Sequence, residues 1–373
     1  MAGDHATLSA MYDQRYVQRE KNRAVRTGRA LRWLMGLAAA LLAPPLFAAE
    51  REPAVQACPA EQLEQRLGSY AALYPDMRFV NLTGGDATWA DLTRLRTLLG
   101  PEPVNLDYEH PEDLRETLMR ASLGRIHLML THQVPSAALF QADRPRDPPD
   151  LVCVLTIDPC QAGADDLAAT RQLLNLPDGE FGNVPEAAYL RKEDFLEFVV
   201  DHEVYHCLKA HTVGPQPMSG KPLWAGYHHH LDEKGADAYA LARHIKERGR
   251  ITAFAENVQR IRNLALYTLD PDHFTCDAIE RVLALPVDEL AARNEHELLE
   301  LANDLRAELD PGYPGYLAYI ASAIEAIDRL GLGDQLDPAL RARVQGLSAD
   351  EAMVQRLVQR TERCMQMMQL APE

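Results

Sequence analysis

The sequence contains no apolar run long enough to cross a membrane, since a spanning helix needs about 20 such residues. Its longest run, Leu31–Ala43, ends at a proline pair at 44–45. Basic residues up to Arg32 lead into this run, and an alanine pair at 48–49 follows it. That order is typical of a secretory signal. We therefore predict that residues 1–49 are a signal peptide and that the mature protein is periplasmic or secreted, without stable membrane insertion.

Basic residues are also scarce, because 38 lysines and arginines face 55 aspartates and glutamates and leave a net charge of −17. Removal of residues 1–49 takes away seven basic and three acidic residues and brings the net charge to −21. A chain this acidic repels the phosphate backbone of DNA and RNA, so we exclude nucleic acid as a partner. The remaining 324 residues are enough for one large domain or two moderate domains with a buried core.

The sequence has no CxxC pair, which excludes a thiol redox motif and a four-cysteine zinc site. Six cysteines lie beyond the predicted signal, at Cys58, Cys153, Cys160, Cys207, Cys276 and Cys364. An even number in an exported chain allows up to three disulfides, whose pairing cannot be read from the sequence. Alternatively, several cysteines are small buried hydrophobic residues. For Cys207, a disulfide or a core position is favoured over metal binding.

Repeats and low-complexity tracts are absent too, and the residue pattern divides the chain into regions. Residues 50–171 have a mixed α/β pattern. In this region we predict helices at Cys58–Leu73, Thr88–Leu99 and Pro111–Leu123, and strands at Met77–Leu82, Ile126–Leu130 and Leu151–Ile157. A proline-rich stretch precedes the last of these strands. The region therefore predicts a small sheet.

The rest of the chain is predicted to be almost wholly helical. Residues 172–249 contain a strongly periodic helix over Lys192–Ala210, a Gly/Pro-rich loop at Val213–Gly226 and a second helix that begins near Asp232. Residues 250–373 form a helical C-terminal region, with helices at Arg250–Leu266, Cys276–Leu285, Val287–Leu309, Gly315–Leu330 and Ala349–Leu370. A small sheet packed against many helices is an α+β fold.

The most informative segment is the HEVYH sequence at 202–206. Positions four apart share one helix face, so the imidazoles of His202 and His206 can bind one ion. Glu203 lies beside that face and can accept a proton from metal-bound water as a general base. The two histidines continue an apolar stripe that begins at Phe195, so we expect them to point into the core.

A second motif, EKGAD at 233–237, follows His206 after a gap that places Glu233 27 residues further on. A catalytic zinc ion takes three protein ligands and keeps a fourth place for water. We predict that Glu233 is the third ligand. Asp237 shares its helix face and is predicted to accept the other ring N–H of a ligand histidine, most simply His202.

The pair HEVYH and EKGAD resembles the gluzincin zinc metallopeptidases. The Glu-x-x-Ala-Asp form is similar to the branch that includes the CAAX prenyl endopeptidases, the HtpX-type peptidases and their small soluble relatives. The resemblance covers residues 190–245. It implies a zincin-like helix-rich core over residues 172–249 beside a small mixed sheet, with one Zn²⁺ per chain. It also implies hydrolysis of peptide bonds in a peptide or protein substrate by zinc-bound water that Glu203 activates.

Such a reaction also needs a donor to the developing oxyanion. The nearest candidates in the sequence are Tyr227, His228, His229 and His230. An alternative interpretation makes them surface-loop residues or adventitious metal binders. His244 and His273 are more distant candidates that the sequence does not rank.

Two other functions remain open at this stage. The chain could be a catalytically silent binding or scaffold protein that keeps the zincin fold, with its helical C-terminal region as the functional surface. It could also be a periplasmic metal-handling protein that uses the histidine run at 228–230.

Overall fold

The computed structural model describes the chain from residue 59 onward, in segments. These are residues 59–82, 95, 97–101, 103–107, 135–143, 150–162, 165–173, 189–217, 219–265, 271–331, 333, 341–342 and 344–367. The predicted signal peptide at 1–49, the helix at Pro111–Leu123, the strand at Ile126–Leu130 and most of the helix at Thr88–Leu99 lie outside the described residues.

Four short strands form one mixed sheet in the order β1-β4-β3-β2. They are β1 at Met77–Asn81, β2 at Val104–Asn105, β3 at Ala137–Gln141 and β4 at Leu151–Leu155. β1 pairs with β4 in parallel, whereas β3 is antiparallel to both β4 and β2. Strands β1 and β4 confirm the predictions for those segments. Strands β2 and β3 are not among the predicted strands.

The helices surround this sheet and extend beyond it. They are α1 (Ala60–Leu73), α2 (Pro159–Ala162), α3 (Asp166–Leu173), α4 (Lys192–Thr212), α5 (Trp224–Arg248), α6 (Ala253–Asn263), α7 (Cys276–Leu283), α8 (Val287–Ala292), α9 (Glu295–Glu308), α10 (Gly312–Arg329) and α11 (Glu351–Met367). A short 3₁₀ turn at Pro271–His273 separates α6 from α7. The helix-rich arrangement with a small mixed sheet confirms the predicted α+β fold.

Helix α4 is the central element, since it packs against the sheet on one side and against α5 on the other. A disulfide between Cys153 of β4 and Cys207 of α4 joins the sheet to this helix. Cys160 is also disulfide-bonded, whereas Cys276 is a buried free thiol. The disulfide interpretation thus holds for Cys153, Cys160 and Cys207, and the interpretation as a small buried residue holds for Cys276.

Most helix boundaries differ from the predictions by one to three residues, and two helices differ by more. The second helix of the motif region does not begin near Asp232 but at Trp224, so the histidine run at 228–230 lies on α5 and not in a loop. The segment Val287–Leu309, predicted as one helix, is two helices. The break occurs because Asn294 caps α9 in a reciprocal capping box with Glu297, which fixes a helix start there.

Among the described residues, no helix combines the length and the apolar character that a bilayer span requires. Helices of the C-terminal region instead use their apolar faces to cover α5. Helices α7, α8 and α9 all contact α5, and their leucine, isoleucine and alanine side chains share one core cluster with it. The helix that carries EKGAD is therefore enclosed by the C-terminal region on one side and by α4 on the other.

Candidate metal centre

Helix α4 presents the ring of His202 to two carboxylates on α5. Nδ1 of His202 lies 2.9 Å from Oδ1 of Asp237, and Nε2 lies 2.9 Å from Oε2 of Glu233. Because an ionised carboxylate only accepts, Nδ1 carries the ring proton in the contact with Asp237. Burial acts to lower the pKa of His202, but the charge of Glu233 and the hydrogen bonds to Asp237 and Glu233 outweigh it and raise that pKa to about 9. Without a metal ion Nε2 therefore donates a proton to Glu233, and a bound cation would replace that proton. The hydrogen bond that the sequence predicts between His202 and Asp237 is present.

Asp237 is held by partners that the sequence analysis did not find. Arg262 of α6 donates two hydrogen bonds to its carboxylate, at 2.8 and 2.9 Å, and the hydroxyl of Thr275 donates a third. Burial acts to raise the pKa of Asp237, but the charge of Arg262 and the hydrogen bond from His202 outweigh it and lower that pKa. No motif links positions 262 and 275 to the HExxH helix, so only the folded chain reveals them.

Four histidines surround the carboxylate of Glu233, which is 2 % exposed. Oε2 is approached by Nε2 of His202 at 2.9 Å and of His273 at 3.2 Å, and Oε1 by Nδ1 of His229 at 3.0 Å and Nε2 of His206 at 3.4 Å. Burial acts to raise the pKa of Glu233, but these histidines outweigh it and hold that pKa well below its ordinary value. Glu233 is an ionised carboxylate.

The contact between His202 and Glu233 fits a site that holds a cation. Nε2 of His202 lies 2.9 Å from Oε2 of Glu233, a distance that a shared proton accounts for, and a metal ion bound by both atoms would replace that proton. Ligand atoms of a tetrahedral metal ion with bonds of about 2.0 Å lie about 3.3 Å apart. The distances around Glu233, from 2.9 to 3.4 Å, bracket that value.

One group of three side chains converges most closely. One ligand atom from each of His202, Glu233 and His273 lies within 4.8 Å of the other two, so these residues could hold a metal ion. His273 lies outside the predicted ligand set of His202, His206 and Glu233. Position 273 is on the 3₁₀ turn after α6, where no helical periodicity relates it to α4 or α5, so the sequence pattern does not indicate it as a ligand.

Glu203 is buried in the same place, with 7 % of its surface exposed. Burial raises the pKa of Glu203 to about 7, assisted by the charge of Glu233 and opposed by His202. The other helix ligand predicted from the motif, His206, keeps 19 % of its side chain exposed, and its ring centroid lies 5.2 Å from that of His202. Burial lowers the pKa of His206 to about 4 and so favours the neutral imidazole that binds metal ions.

The four residues predicted as oxyanion donors occupy different environments on α5. The hydroxyl of Tyr227 donates to Asp310 at 2.8 Å, and His228 is buried with its ring 4.7 Å from that of Trp224. Nδ1 of His230 lies 3.1 Å from the carbonyl oxygen of Asp272. Of the four, the structure brings His229 to Glu233.

Two further histidines lie away from this centre. Nε2 of His244 pairs with the hydroxyl of Thr252 at 2.7 Å, near the end of α5. His211 lies 3.5 Å from Asp76, at the end of α4. The sequence analysis left His244 unranked as a donor, and in the structure it is not among the residues around Glu233.

Buried ion pairs fix α4 and α5 at the level of the site. Asp201, beside His202, accepts hydrogen bonds from Arg66 of α1, from Tyr70 at 2.8 Å and from Arg243 of α5 at 2.9 Å. One residue before Glu233, Asp232 pairs with Lys209 at 3.1 Å and Arg306 at 2.8 Å. These contacts set the rotation of both helices, which decides where the ligand side chains point.

The chain was compared with models of protein families, with curated proteins and with solved structures, and no match was found. Assignment to the gluzincins therefore stays a prediction from the motifs at 202–206 and 233–237.

Proposed function

We propose that this chain is a zinc-dependent metallopeptidase of the gluzincin type. One observation supports this above the others. His202 and Glu233 come from different helices and meet at 2.9 Å, with the opposite ring nitrogen of His202 bonded to Asp237. This is the carboxylate–histidine arrangement that orients metal-ligating histidines. The buried Glu203 lies on the same helix beside it, where a hydrolytic metal site needs a base.

The proposed ligands are His202, His206 and Glu233. When bound, zinc supplies Lewis acidity, which makes water acidic enough to be deprotonated near neutral pH and polarises a carbonyl group. Zinc is the preferred candidate because two imidazoles and one carboxylate are a common donor set for a catalytic zinc ion. The low pKa of His206, about 4, keeps that ring neutral over the pH range in which such a site would work.

Glu203 has the properties of a general base for peptide hydrolysis. Its carboxylate would accept a proton from the attacking water and pass it to the amine that leaves. A base works best when its pKa lies near the working pH, and burial raises the pKa of Glu203 to about 7. Of the predicted oxyanion donors, His229 is best placed, since it contacts Glu233 and its side chain is 44 % exposed.

Export is part of the proposal. The order of residues in 1–49 predicts a signal peptide, and the disulfide between Cys153 and Cys207 is compatible with an oxidising compartment. The substrate would then be a peptide or protein outside the cytoplasm.

A periplasmic metal-handling function is the second candidate. It is favoured by the number of imidazoles at the site, because four histidines around one carboxylate exceed what a three-ligand catalytic ion needs. A metal carrier would bind the ion without needing Glu203. The role of Glu203 therefore separates the two functions.

Metal analysis combined with a peptidase assay tests the proposal. We expect the mature protein to bind about one zinc ion, and Ala in place of His202 or Glu233 to abolish tight binding. Glu203→Gln keeps the size of the side chain and should retain zinc while hydrolysis of an unfolded protein substrate falls by at least about 100-fold. A Glu203→Gln protein as active as the parent would refute the role of Glu203. A zinc-loaded parent that cleaves nothing would favour metal handling.

A further inference from the structure

We infer that Trp224, Tyr227 and Tyr313 form a binding site for a cationic side chain, lysine or arginine, of a bound polypeptide. We call these three rings the aromatic box. Lys221 of the chain itself occupies the box in the structure, and the ligand would displace it. The inference goes beyond the proposed function, because the box lies apart from the metal centre and needs no metal ion.

The aromatic box is built from the first turns of α5 and α10. The ring centroids of Trp224 and Tyr313 are 5.3 Å apart, and the ring of Tyr227 lies 5.5 Å from the first and 6.0 Å from the second. The ring planes are inclined to one another by 54° to 70°. Trp224 and Tyr313 are partly exposed, whereas Tyr227 is buried. The box therefore has an open side that a ligand can reach.

The box is separate from the residues around Glu233. Trp224 and Glu233 are nine residues apart on α5, which is about two and a half helical turns and places them on opposite faces of the helix. A ligand bound at the box therefore contacts a different surface of α5 from a ligand bound at the metal centre.

Lys221 shows which chemistry the aromatic box binds. Its Nζ lies 4.8 Å from the ring centroid of Trp224 and 5.2 Å from that of Tyr313. A cation within about 6 Å of an aromatic ring is attracted by the negative charge of the ring face. Nζ forms no ion pair with a carboxylate in the part of the chain that the structure describes. The ring faces, and not a counter-ion, are thus the partners of this ammonium group.

A carboxylate beside the box also favours a cationic ligand. The hydroxyl of Tyr227 donates to Oδ1 of Asp310 at 2.8 Å, and Asp310 is exposed. The net charge of −17 adds attraction for basic polypeptides at longer range. An anionic ligand would be repelled by the ring faces and by this carboxylate, so the box selects lysine or arginine.

The rings are fixed by hydrogen bonds that leave their faces free. Nε1 of Trp224 donates to the carbonyl oxygen of Pro217 at 2.7 Å, and the hydroxyl of Tyr313 donates to that of Pro222 at 2.7 Å. Between these anchors Leu223 has a φ of 58°, in the left-handed region that residues other than glycine rarely adopt. Strain of this kind persists where the surrounding structure enforces it, and it clusters at functional sites such as ligand clamps.

A buried imidazole lies behind the box. The ring of His228 is 4.7 Å from the rings of both Trp224 and Tyr227, and 9 % of this histidine is exposed. Neither of its ring nitrogens has a hydrogen-bond partner among the described residues. Burial of an unpaired polar group is unfavourable, and phenylalanine would fill the space without that cost. Packing alone therefore does not account for histidine at this position, whereas a binding site for a polar ligand does.

Displacement of Lys221 costs little. The side chain is exposed, and an exposed cation–π contact gives only about a two- to fivefold preference. Because the contact is intramolecular, Lys221 competes with every ligand cation for the same ring faces. Removal of this lysine should raise the affinity of the box for a basic peptide, and removal of a ring should lower it.

Fluorescence of Trp224 measures occupancy of the box directly. The chain has three tryptophans, of which Trp33 lies in the predicted signal peptide, so Trp89→Phe leaves Trp224 as the only one in the mature protein. The titrant is an acetylated and amidated tetra-arginine peptide. Its control is the tetra-citrulline peptide, which has nearly the same shape without the charge. We expect a saturable change of Trp224 emission with the arginine peptide and none with the citrulline peptide.

Variants of the box separate ring contacts from general charge attraction. Lys221→Ala should bind the arginine peptide about two- to fivefold more tightly. Arg191→Ala is the matched control, because it removes an exposed positive charge that pairs with Glu193 and not with the rings. Tyr313→Leu should weaken binding by a similar factor. Tyr313→Phe keeps the ring without the hydrogen bond to Pro222 and should retain the affinity.

The outcomes decide this inference independently of the proposed function. Tighter binding by Lys221→Ala than by both the parent and Arg191→Ala supports the aromatic box, and it cannot result from a failure to fold. Equal affinity of the parent and Lys221→Ala, or an equal response to the arginine and citrulline peptides, overturns it. Titrations with and without zinc should agree, and they measure no hydrolysis, so they leave the test of the peptidase untouched.

Discussion

The ring of His202 bridges two carboxylates, with Asp237 2.9 Å from one ring nitrogen and Glu233 2.9 Å from the other. The two carboxylates have different roles. Asp237 is bound by Arg262 and Thr275 and orients the ring, whereas Glu233 is surrounded by histidines. The partners of the two carboxylates therefore distinguish Asp237, which orients His202, from Glu233, the proposed metal ligand. The spacing of the motifs alone does not make this distinction.

The orienting role of Asp237 predicts a loss of metal affinity. Asp237→Asn leaves a similar shape but replaces the charged acceptor of the His202 proton, so we expect zinc to bind about 10- to 100-fold more weakly. Competition with a chromophoric chelator measures this. Thr275→Val removes only one hydrogen bond from Asp237 and should have a smaller effect. Equal affinity in the parent and Asp237→Asn would show that Asp237 does not support the ligand.

The ion pairs of Asp201 predict a pH-dependent stability. Burial acts to raise the pKa of Asp201, but Arg243 and Arg66 outweigh it and lower that pKa. The stabilisation is therefore complete above the unfolded-state pKa of about 3.9 and is lost as the pH falls through the lower folded-state pKa. We expect Asp201→Asn to lower the free energy of unfolding by about 3 kcal/mol at pH 7 and by less below about pH 4.

Urea denaturation of the metal-free protein at several pH values checks this expectation. Asp194→Asn is the control, because its ion pair with Arg248 is more exposed, with 37 % of the arginine side chain accessible. It should change the free energy of unfolding by less than about 1 kcal/mol. A difference between the parent and Asp201→Asn that stays constant from pH 7 to pH 3 would contradict the assignment.

Close packing of α4 on α5 makes Gly235 a sensitive position. A Cβ at this residue would overlap the phenol ring of Tyr205 on α4. Gly235→Ala should lower the free energy of unfolding by about 1–3 kcal/mol and weaken zinc binding. Gly68→Ala is the matched control, since Gly68 is also helical and has open space around it. It should stabilise the protein slightly, by about 0.5 kcal/mol. Similar behaviour of the two variants would contradict the packing argument.

The disulfide between Cys153 and Cys207 predicts a dependence on redox conditions. It closes a loop with a sequence separation of 54, for which the chain-entropy model gives about 4 kcal/mol. Because Cys207 follows His206, reduction should also loosen the end of α4 and weaken zinc binding. Thermal unfolding with and without a reducing agent measures the first effect. A Cys153→Ala/Cys207→Ala double variant should lose this stabilisation without reducing agent. Because Cys160 is also disulfide-bonded, full reduction of the parent should lower its stability at least as much, and a parent insensitive to reduction would exclude a stabilising bond.

Much of the fold follows from patterns that are local in the sequence. The helical period of Lys192–Ala210 predicts α4 within two residues at its end, and the apolar runs predict β1 and β4. The start of α5 was predicted eight residues late, because the glycines and prolines of 213–226 resemble a loop up to Gly226. In the structure Trp224 already begins the helix, since its ring packs on Tyr227 and Tyr313.

The residues of the site also fall into two groups, those that local sequence patterns predict and those that they do not. His202, Glu203, His206, Glu233 and Asp237 are predictable because four-residue spacing puts them on helix faces. His273, Arg262 and Thr275 reach the same place through the path of the chain after α5, for which no local pattern exists. The positions of these three residues depend on how the C-terminal region packs in the folded chain.

The hydrogen bonds from Arg262 and Thr275 to Asp237 have a consequence for the order in which the metal site forms during synthesis. Both ligand helices have been made once residue 248 has been added, yet the residues that orient His202 follow later in the chain. A nascent chain that ends before residue 275 would contain the HExxH and ExxAD motifs. The ring of His202 would then lack part of the hydrogen-bond network that orients it. Metal loading is therefore expected to be a late event, coupled to completion of the second half of the polypeptide.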